Sequence, residues 1–157
     1  MLKHILTLFI LSNIALADSG VEDWCWTKEE NPATKQPYTS HEEWDNDVIA
    51  WKKKTHSSTN IVNFIKAYGI YSKEKAKANS FGHDKIAHCY MGCRLSQSIN
   101  FKTADYLAWY KELKDITDCS MDSHFEDADY VATIVGARAG QDKSIQCEAF
   151  CLTHIPH

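Results

Sequence analysis

The stretch Asp84-Lys85-Ile86-Ala87-His88-Cys89-Tyr90-Met91-Gly92-Cys93, read with Cys147-Glu148-Ala149-Phe150-Cys151 near the C-terminus, decides how this chain folds. Each segment carries two cysteines four residues apart, and in a helix residues i and i+4 lie one above the other on one face. Two antiparallel helices that each present cysteines one turn apart can be cross-linked twice. Of the 15 connectivities open to six cysteines, this geometry selects Cys89 to Cys151 and Cys93 to Cys147, leaving Cys25 to Cys119 by elimination. That last bridge would close a loop of about 90 residues, worth about 4–5 kcal/mol in the chain-entropy model. The same two pairs could build a four-thiolate zinc site, although structural zinc usually takes tighter C-x2-C knuckles.

The compartment decides between these outcomes, and the N-terminus specifies it. Met1-Leu2-Lys3-His4 carries positive charge, Ile5 to Ile14 is largely apolar, and Ala15-Leu16-Ala17 has the small-x-small pattern of a cleavage site. The expectation is a signal peptide over residues 1–17 and an exported, periplasmic or secreted product starting at Asp18, where disulfides are stable. No cysteine directly follows the apolar run, so no lipid anchor is expected. No segment approaches the roughly 20 apolar residues of a transmembrane helix. Loss of Lys3 makes the formal net charge of −4 more negative still, which argues against nucleic acid as a partner.

Residues 18–39, with Trp24, Trp26, Pro32 and Pro37, show no sustained period and read as an irregular arm; residues 40–157 read as one helical domain. Ser40 and Glu43 form a capping box for a helix through Trp44, Val48 and Trp51. A second helix is expected from about Thr59 to Tyr68, with Ile61, Phe64, Ile65 and Tyr68 on one stripe and Gly69 as its stop. A third follows Ser80 and carries Ile86, Cys89, Tyr90 and Cys93 inward. Thr103 is expected to cap a fourth helix, Ala104 to about Asp115, with Leu107, Trp109 or Tyr110, and Leu113 inside. Ile116 to Phe125 reads as a loop with room for one short hairpin. A fifth helix spans about Asp127 to Ala139, with Val131, Ile134 and Val135 on its apolar side and Gly140 as its stop, and a short last helix holds Cys147 and Cys151. The fold class is mainly α, a small disulfide-stapled helical domain.

Chemistry concentrates in three places. Asp84 and His88 sit four apart on one helix face and can share a proton or a metal ion. Glu112 and Asp115 sit three apart near a helix C-terminus, where the macrodipole disfavours negative charge and raises carboxylate pKa values. His124, Glu126, Asp127 and Asp129 crowd the start of the next helix, where the dipole favours carboxylates. If the helices pack together, these groups converge on a site for acid–base or metal chemistry. Each also has a plain structural reading as a surface hydrogen bond, a solvated charge or a helix-terminal cap.

Asp84-Lys85-x-x-His88, Lys111-Glu112-x-x-Asp115, and Asp127 ahead of a small-residue helix containing Gly136 together resemble a little-characterised group of bacterial envelope proteins with a DKxxH, KExxD and DxxxG signature. The segment Asp84 to Gly140 is also similar in layout to lysozyme-like glycosidases, in which a glutamate at a helix end precedes a polar loop or hairpin. That resemblance implies Glu112 as a general acid with a raised pKa, assisted by Asp115, Asp122 or His124. His83-Asp84 with Cys89-Tyr90 is similar to the HDxCY element of secreted phospholipases A2, but cysteine and tyrosine come late and the glycine-rich calcium loop is missing.

Three functions are therefore expected to compete. The first is a peptidoglycan-acting glycoside hydrolase of the cell envelope working through Glu112, with Asp115, His88 and Asp84 as further catalytic candidates. The second is a hydrolase dependent on a divalent metal such as zinc or manganese, with ligands drawn from Asp84, His88, Glu112 and Asp115 or Asp129. The third is a non-enzymatic binding or inhibitor module that meets an envelope polymer or protein through Trp24, Trp26 and Tyr38 of the arm.

Overall fold

A computed structural model describes residues 25–31, 33–118 and 125–156. Among them are a 3-10 turn at Cys25–Lys28, two short strands, and six α-helices: α1 His41–Lys52, α2 Ile61–Asn79, α3 Asp84–Ser98, α4 Phe101–Thr117, α5 Asp127–Ala139 and α6 Cys147–His154. The mainly helical class and both bridges between the CxxxC helices are present: Cys89–Cys151 and Cys93–Cys147 join antiparallel α3 and α6. Cys119, Asp122 and His124 lie outside the described residues, and with them the Cys25 to Cys119 pairing and the hairpin expected after the Glu112 helix.

The described hairpin lies in the arm, which is less irregular than its composition suggests. Strand β1 (Glu30–Asn31) pairs antiparallel with β2 (Gln36–Pro37). Asn31 organises the turn: its side-chain oxygen accepts from the backbone N–H of Ala33 and Thr34, and its amide donates to Glu43 Oε1 at 2.7 Å. Ser40 caps α1 by accepting from the Glu43 N–H, as the capping box requires, while Glu43 reaches back to the N–H and hydroxyl of Thr39. Tyr38 is buried with Trp44, Val48, Trp51, Ile116 and Phe125, and Trp26 packs against that cluster. Of the arm residues expected to form an interface, Tyr38 is therefore core, Trp26 is half-buried and Trp24 lies outside the described residues.

Tryptophans tie α1 to α4. The Trp51 indole donates to the Trp109 carbonyl at 3.0 Å, the Trp109 indole donates to the Trp51 carbonyl at 2.9 Å, and Trp44 donates to the Ile116 carbonyl. Burying these rings satisfies their N–H groups while removing large apolar surfaces from water.

Three expectations about helices change. Gly69 does not stop α2, which continues for ten residues to Asn79 because good helix formers follow and Glu74 and Ala78 pack inward. A mid-helix glycine costs only about 1 kcal/mol, less than that packing returns. The stripe of Ile61, Ile65 and Tyr68 points to solvent, and the helix attaches by Ala67, Glu74 and Ala78 instead. For α4 the cap is Asn100, one turn before the expected start, with its side chain accepting from Thr103 N–H. The buried face of α4 is Thr103, Ala104, Asp105, Ala108, Glu112, Asp115 and Ile116, while Tyr110 is exposed and Leu107, Trp109 and Leu113 are half-buried.

The third change concerns α5. Its buried residues are Asp129, Ala132, Thr133, Gly136 and Ala137, not Val131, Ile134 and Val135; Val131 is exposed. Its partner α3 lies so close that only small residues fit between the backbones. A Cβ on Gly136 would sit 1.8 Å from the Cys89 carbonyl oxygen, one on Gly92 2.1 Å from that of Thr133, and one on Gly140 2.4 Å from that of Cys93. The two helices run in the same direction, so Lys85 meets Asp129, His88 meets Thr133 and Cys93 meets Gly140. Their N-termini therefore emerge side by side. Gly136→Ala should lower stability by about 2–4 kcal/mol, since both colliding groups are backbone, whereas Gly69→Ala, with nothing within 4 Å, should raise it by about 0.5–1 kcal/mol. Urea unfolding with the disulfides intact measures both.

Candidate functional site

The paired N-termini of α3 and α5 bring acids together with one histidine and one lysine. Asp84 and Lys85 open α3, His88 lies one turn on, Glu126 is the N-cap residue of α5 and Asp129 sits in its first turn. One ligand atom each from Asp84, His88 and Asp129 falls within 4.8 Å of the others. His88 Nε2 is 3.7 Å from Asp84 Oδ1 and 3.6 Å from Asp129 Oδ2. Lys85 Nζ takes the other oxygen of each carboxylate, at 3.3 Å from Asp84 Oδ2 and in close ion-pair contact with Asp129 Oδ1, and it also contacts Glu126. The two carboxylates thus face a lysine on one side and a histidine on the other.

Thr133 fixes the histidine. Its hydroxyl donates to the Asp129 carbonyl one turn back at 2.8 Å, and its oxygen lies 3.2 Å from His88 Nδ1. The Thr133 contact holds the ring so that Nε2 is the atom presented to the carboxylates, and in the tautomer with the proton on Nδ1 that atom offers a lone pair. Burial lowers the pKa of His88, with Lys111 and Lys85 adding to the effect and Asp84 opposing it. In that tautomer the Nε2 lone pair faces two carboxylate oxygens, an arrangement that a shared cation relieves.

Burial raises the pKa of Asp129, with help from Asp84 and Glu126 and against the pull of Lys85. For Asp84 the burial effect is outweighed by His88 and Lys85, and its pKa is lowered. Asp84 stands at the solvent edge and Asp129 is buried, which separates two otherwise similar carboxyl groups.

Glu112 and Asp115 approach from α4 but do not join the trio. Glu112 is 1% exposed, and its Oε2 accepts the Glu126 N–H at 3.0 Å, holding the first residue of the α5 cap. Its pKa is raised to about 8, chiefly by burial and further by Asp115 and Asp129, against the Glu126 hydrogen bond and Lys111. Asp115 is buried and paired with Lys111. Glu112 is thus not one of the three converging ligand atoms, unlike the expected metal set. Asp127 also leaves the cluster: it turns to α1 and pairs with Lys54 at 2.7 Å. Two surface concavities of about 370 Å³ each lie around Trp51 and Phe125 and around Asn60 and Asn100, and neither is lined by Glu112 or His88.

Sequence reasoning missed Thr133, whose position four residues after Asp129 was its only signal, and it gave Lys85 no role beyond the motif. It also passed over buried acids that serve structure. Asp105 accepts from Ser57 N–H and Tyr130 hydroxyl, and Glu74 accepts from Tyr90 hydroxyl and Arg94. Glu29 is buried near Asp118 and Asp115, and burial first, then those charges, pushes it up to about 7.

Comparison with protein-family models, with curated proteins and with solved structures finds no match to this chain. Among the described residues no helix is long and apolar enough to cross a membrane.

The raised Glu112 pKa sets a pH dependence. A carboxyl group with a folded pKa near 8 and an ordinary unfolded value near 4.5 binds an extra proton in the folded state between those values. Its contribution to stability is full below pH 4.5 and is lost as pH rises through 8. Glu112→Gln keeps an oxygen for the Glu126 N–H but cannot ionise. The variant should match wild type near pH 5 and melt at a higher temperature than wild type above pH 8, as thermal unfolding across pH 5–9 will show.

Proposed function

We propose that the protein is an exported hydrolase of the cell envelope whose reaction centre is a divalent-cation site formed by Asp84, His88 and Asp129. The observation that carries this reading is the Thr133-fixed Nε2 of His88, facing one oxygen from each of two carboxylates. Separations of 3.6 and 3.7 Å are close to the edge of about 3.4 Å expected for a tetrahedron with metal–ligand bonds of about 2.1 Å. Lys85 uses the opposite carboxylate oxygens, so its ammonium need not leave for a cation to enter beside His88. One histidine with two carboxylates suits zinc or manganese. Such an ion would acidify a bound water to a nucleophile near neutral pH. The position of Asp84 at the solvent edge supplies a route for substrate, and the Thr133 bond is the kind of outer support that orients a ligating histidine.

Export is supported by the leader grammar of residues 1–17 and by two disulfides that are stable in oxidising compartments. In this reading Glu112 is a neutral, buried positioning residue that holds the Glu126 backbone and, through it, the first turn of α5.

Glu112 also supports a second reading. A carboxyl group still protonated near neutral pH is what a glycosidase general acid requires, and its pKa of about 8 favours that role on peptidoglycan. Its burial and its bond to the Glu126 N–H weigh on the other side.

The two readings separate by experiment. Protein purified from the exporting host without chelators should carry near-stoichiometric zinc or manganese by elemental analysis. Titration calorimetry should show affinity falling at least a hundredfold for Asp84→Asn and Asp129→Asn and about tenfold for Thr133→Val. Sub-stoichiometric metal together with no binding heat sinks the cation site. Glu112→Gln should leave metal affinity and any clearing of cell-wall sacculi nearly unchanged; loss of clearing with metal affinity intact transfers the reaction to Glu112.

A further inference from the structure

Helix α2 is attached to the body by a narrow face and presents the rest of its surface outward. Ala67, Glu74 and Ala78 are its buried residues. Opposite them, Ile61, Val62, Ile65 and Tyr68 are 56, 57, 60 and 70% exposed, and Tyr71 is also exposed. Isolated exposed aliphatics are ordinary on protein surfaces, but four large apolar side chains within two turns of one helix form a patch that water does not favour. Among the described residues, no hydrophobic cluster includes Ile61, Val62, Ile65 or Tyr68.

The charge on the same helix is one-sided. Lys66, Lys73 and Lys75 are exposed, and Lys77 pairs with Glu148. Glu74 is the only acidic residue of α2, and it is buried against Tyr90 and Arg94. The exposed surface of α2 therefore carries lysines and no carboxylate, in a chain whose formal net charge is −4. Apolar residues dominate its first two turns and lysines its last two. Tyr68 and Tyr71 stand where the halves meet, with Lys75 Nζ 5.7 Å from the Tyr71 ring.

An aliphatic and tyrosine stripe bordered by lysines on a helix about 28 Å long matches a helix lying in the plane of an anionic lipid surface. The aliphatic side chains enter the acyl boundary, the tyrosines take the headgroup level, and the lysine stems extend so that their ammonium groups reach phosphate. We infer that the outward face of α2 docks the protein onto the surface of an anionic phospholipid bilayer. The inference does not depend on the cation site. The charge decides the occupant: an anionic leaflet complements an exposed face that carries lysines and no carboxylate, each basic residue near the surface gaining about fivefold in partition.

The test is co-sedimentation of the protein, as recovered from the exporting host, with vesicles of phosphatidylglycerol and phosphatidylcholine in equal parts, and with phosphatidylcholine alone. Wild type should pellet with the anionic vesicles at about 50 mM salt and be released at about 500 mM, where charges are screened within a few ångströms. It should partition at least tenfold less onto phosphatidylcholine. Ile61→Asp/Ile65→Asp and Lys73→Glu/Lys75→Glu alter only exposed positions, and circular dichroism melts check that both variants remain folded. Each pair should weaken partition onto anionic vesicles at least tenfold. Equal partition of wild type onto the two vesicle types, or unchanged partition of both folded variants, overturns the inference. So does a vesicle-free dimer that Ile61→Asp/Ile65→Asp dissociates, because the face would then be covered by a second copy.

Discussion

Where α3 crosses α5 the two backbones touch, and that contact sets how the two helix N-termini and the groups they carry stand to one another. Carbonyl oxygens of Cys89, Thr133 and Cys93 occupy the space where Gly136, Gly92 and Gly140 would carry a Cβ. Helices packed through large side chains lie about 8–10 Å apart, whereas small residues let them approach more closely. Close approach in the same direction makes the two N-termini neighbours, and the polar groups of both first turns then share one small volume. The disulfides to α6 lock the other side of α3 at Cys89 and Cys93, the same turns whose carbonyl oxygens face the α5 glycines. A shift of α3 along α5 would strain glycine contacts and bridges together.

This arrangement explains why so many carboxylates can be buried in a domain of this size. Parallel helix dipoles place two partial positive charges behind Asp84, Glu126 and Asp129. Lys85 adds a full charge in their midst, and Glu112 remains in the group by holding its proton. Burying an unpaired charge is very costly, so each acid here is paired, capped or neutral. The division of roles follows position: Asp84 at the rim ionises readily, Asp129 beneath it resists, and Glu112 in the interior resists most. The α1–α4 tryptophan pairs brace the opposite flank, so the C-terminal turns of α4 deliver Glu112 and Asp115 from a fixed direction.

Much of this was legible in the chain. Cysteine spacing determined the two α3–α6 bridges, because only one doubly linked arrangement suits two antiparallel i, i+4 pairs. The Ser40 capping box, the extent of α5 and the fold class followed from local rules of helix ends. Asp84 and His88 were legible as a pair because their spacing alone puts them on one face. The faces of α4 and α5 were not. Apolar periodicity points to Leu107, Leu113, Val131 and Ile134, yet the buried sides are lined by small and polar residues. A helix that must come within backbone contact of its neighbour buries what is small, and one that lines a charged cluster buries what is polar. Neither property appears in a hydrophobic pattern. Gly69 misled for a related reason: local propensity marks a stop, while packing of Glu74 and Ala78 carries α2 onward.

What the sequence by itself determined is the helical, doubly stapled character of the domain and the presence of Asp84, His88, Glu112 and Asp129 as chemically capable groups. Those features rest on spacing within a single element, and spacing is local. Tertiary structure alone decided that Asp129 and not Glu112 stands beside His88. It also decided that Thr133 holds the His88 ring with Nε2 toward the carboxylates, that Lys85 occupies the far carboxylate oxygens, and that the aliphatic stripe of α2 faces outward. The first three depend on the distance and direction between two helices, which three glycines and two disulfides set across gaps of more than forty residues in the chain, and the last depends on the packing of α2 through Ala67, Glu74 and Ala78.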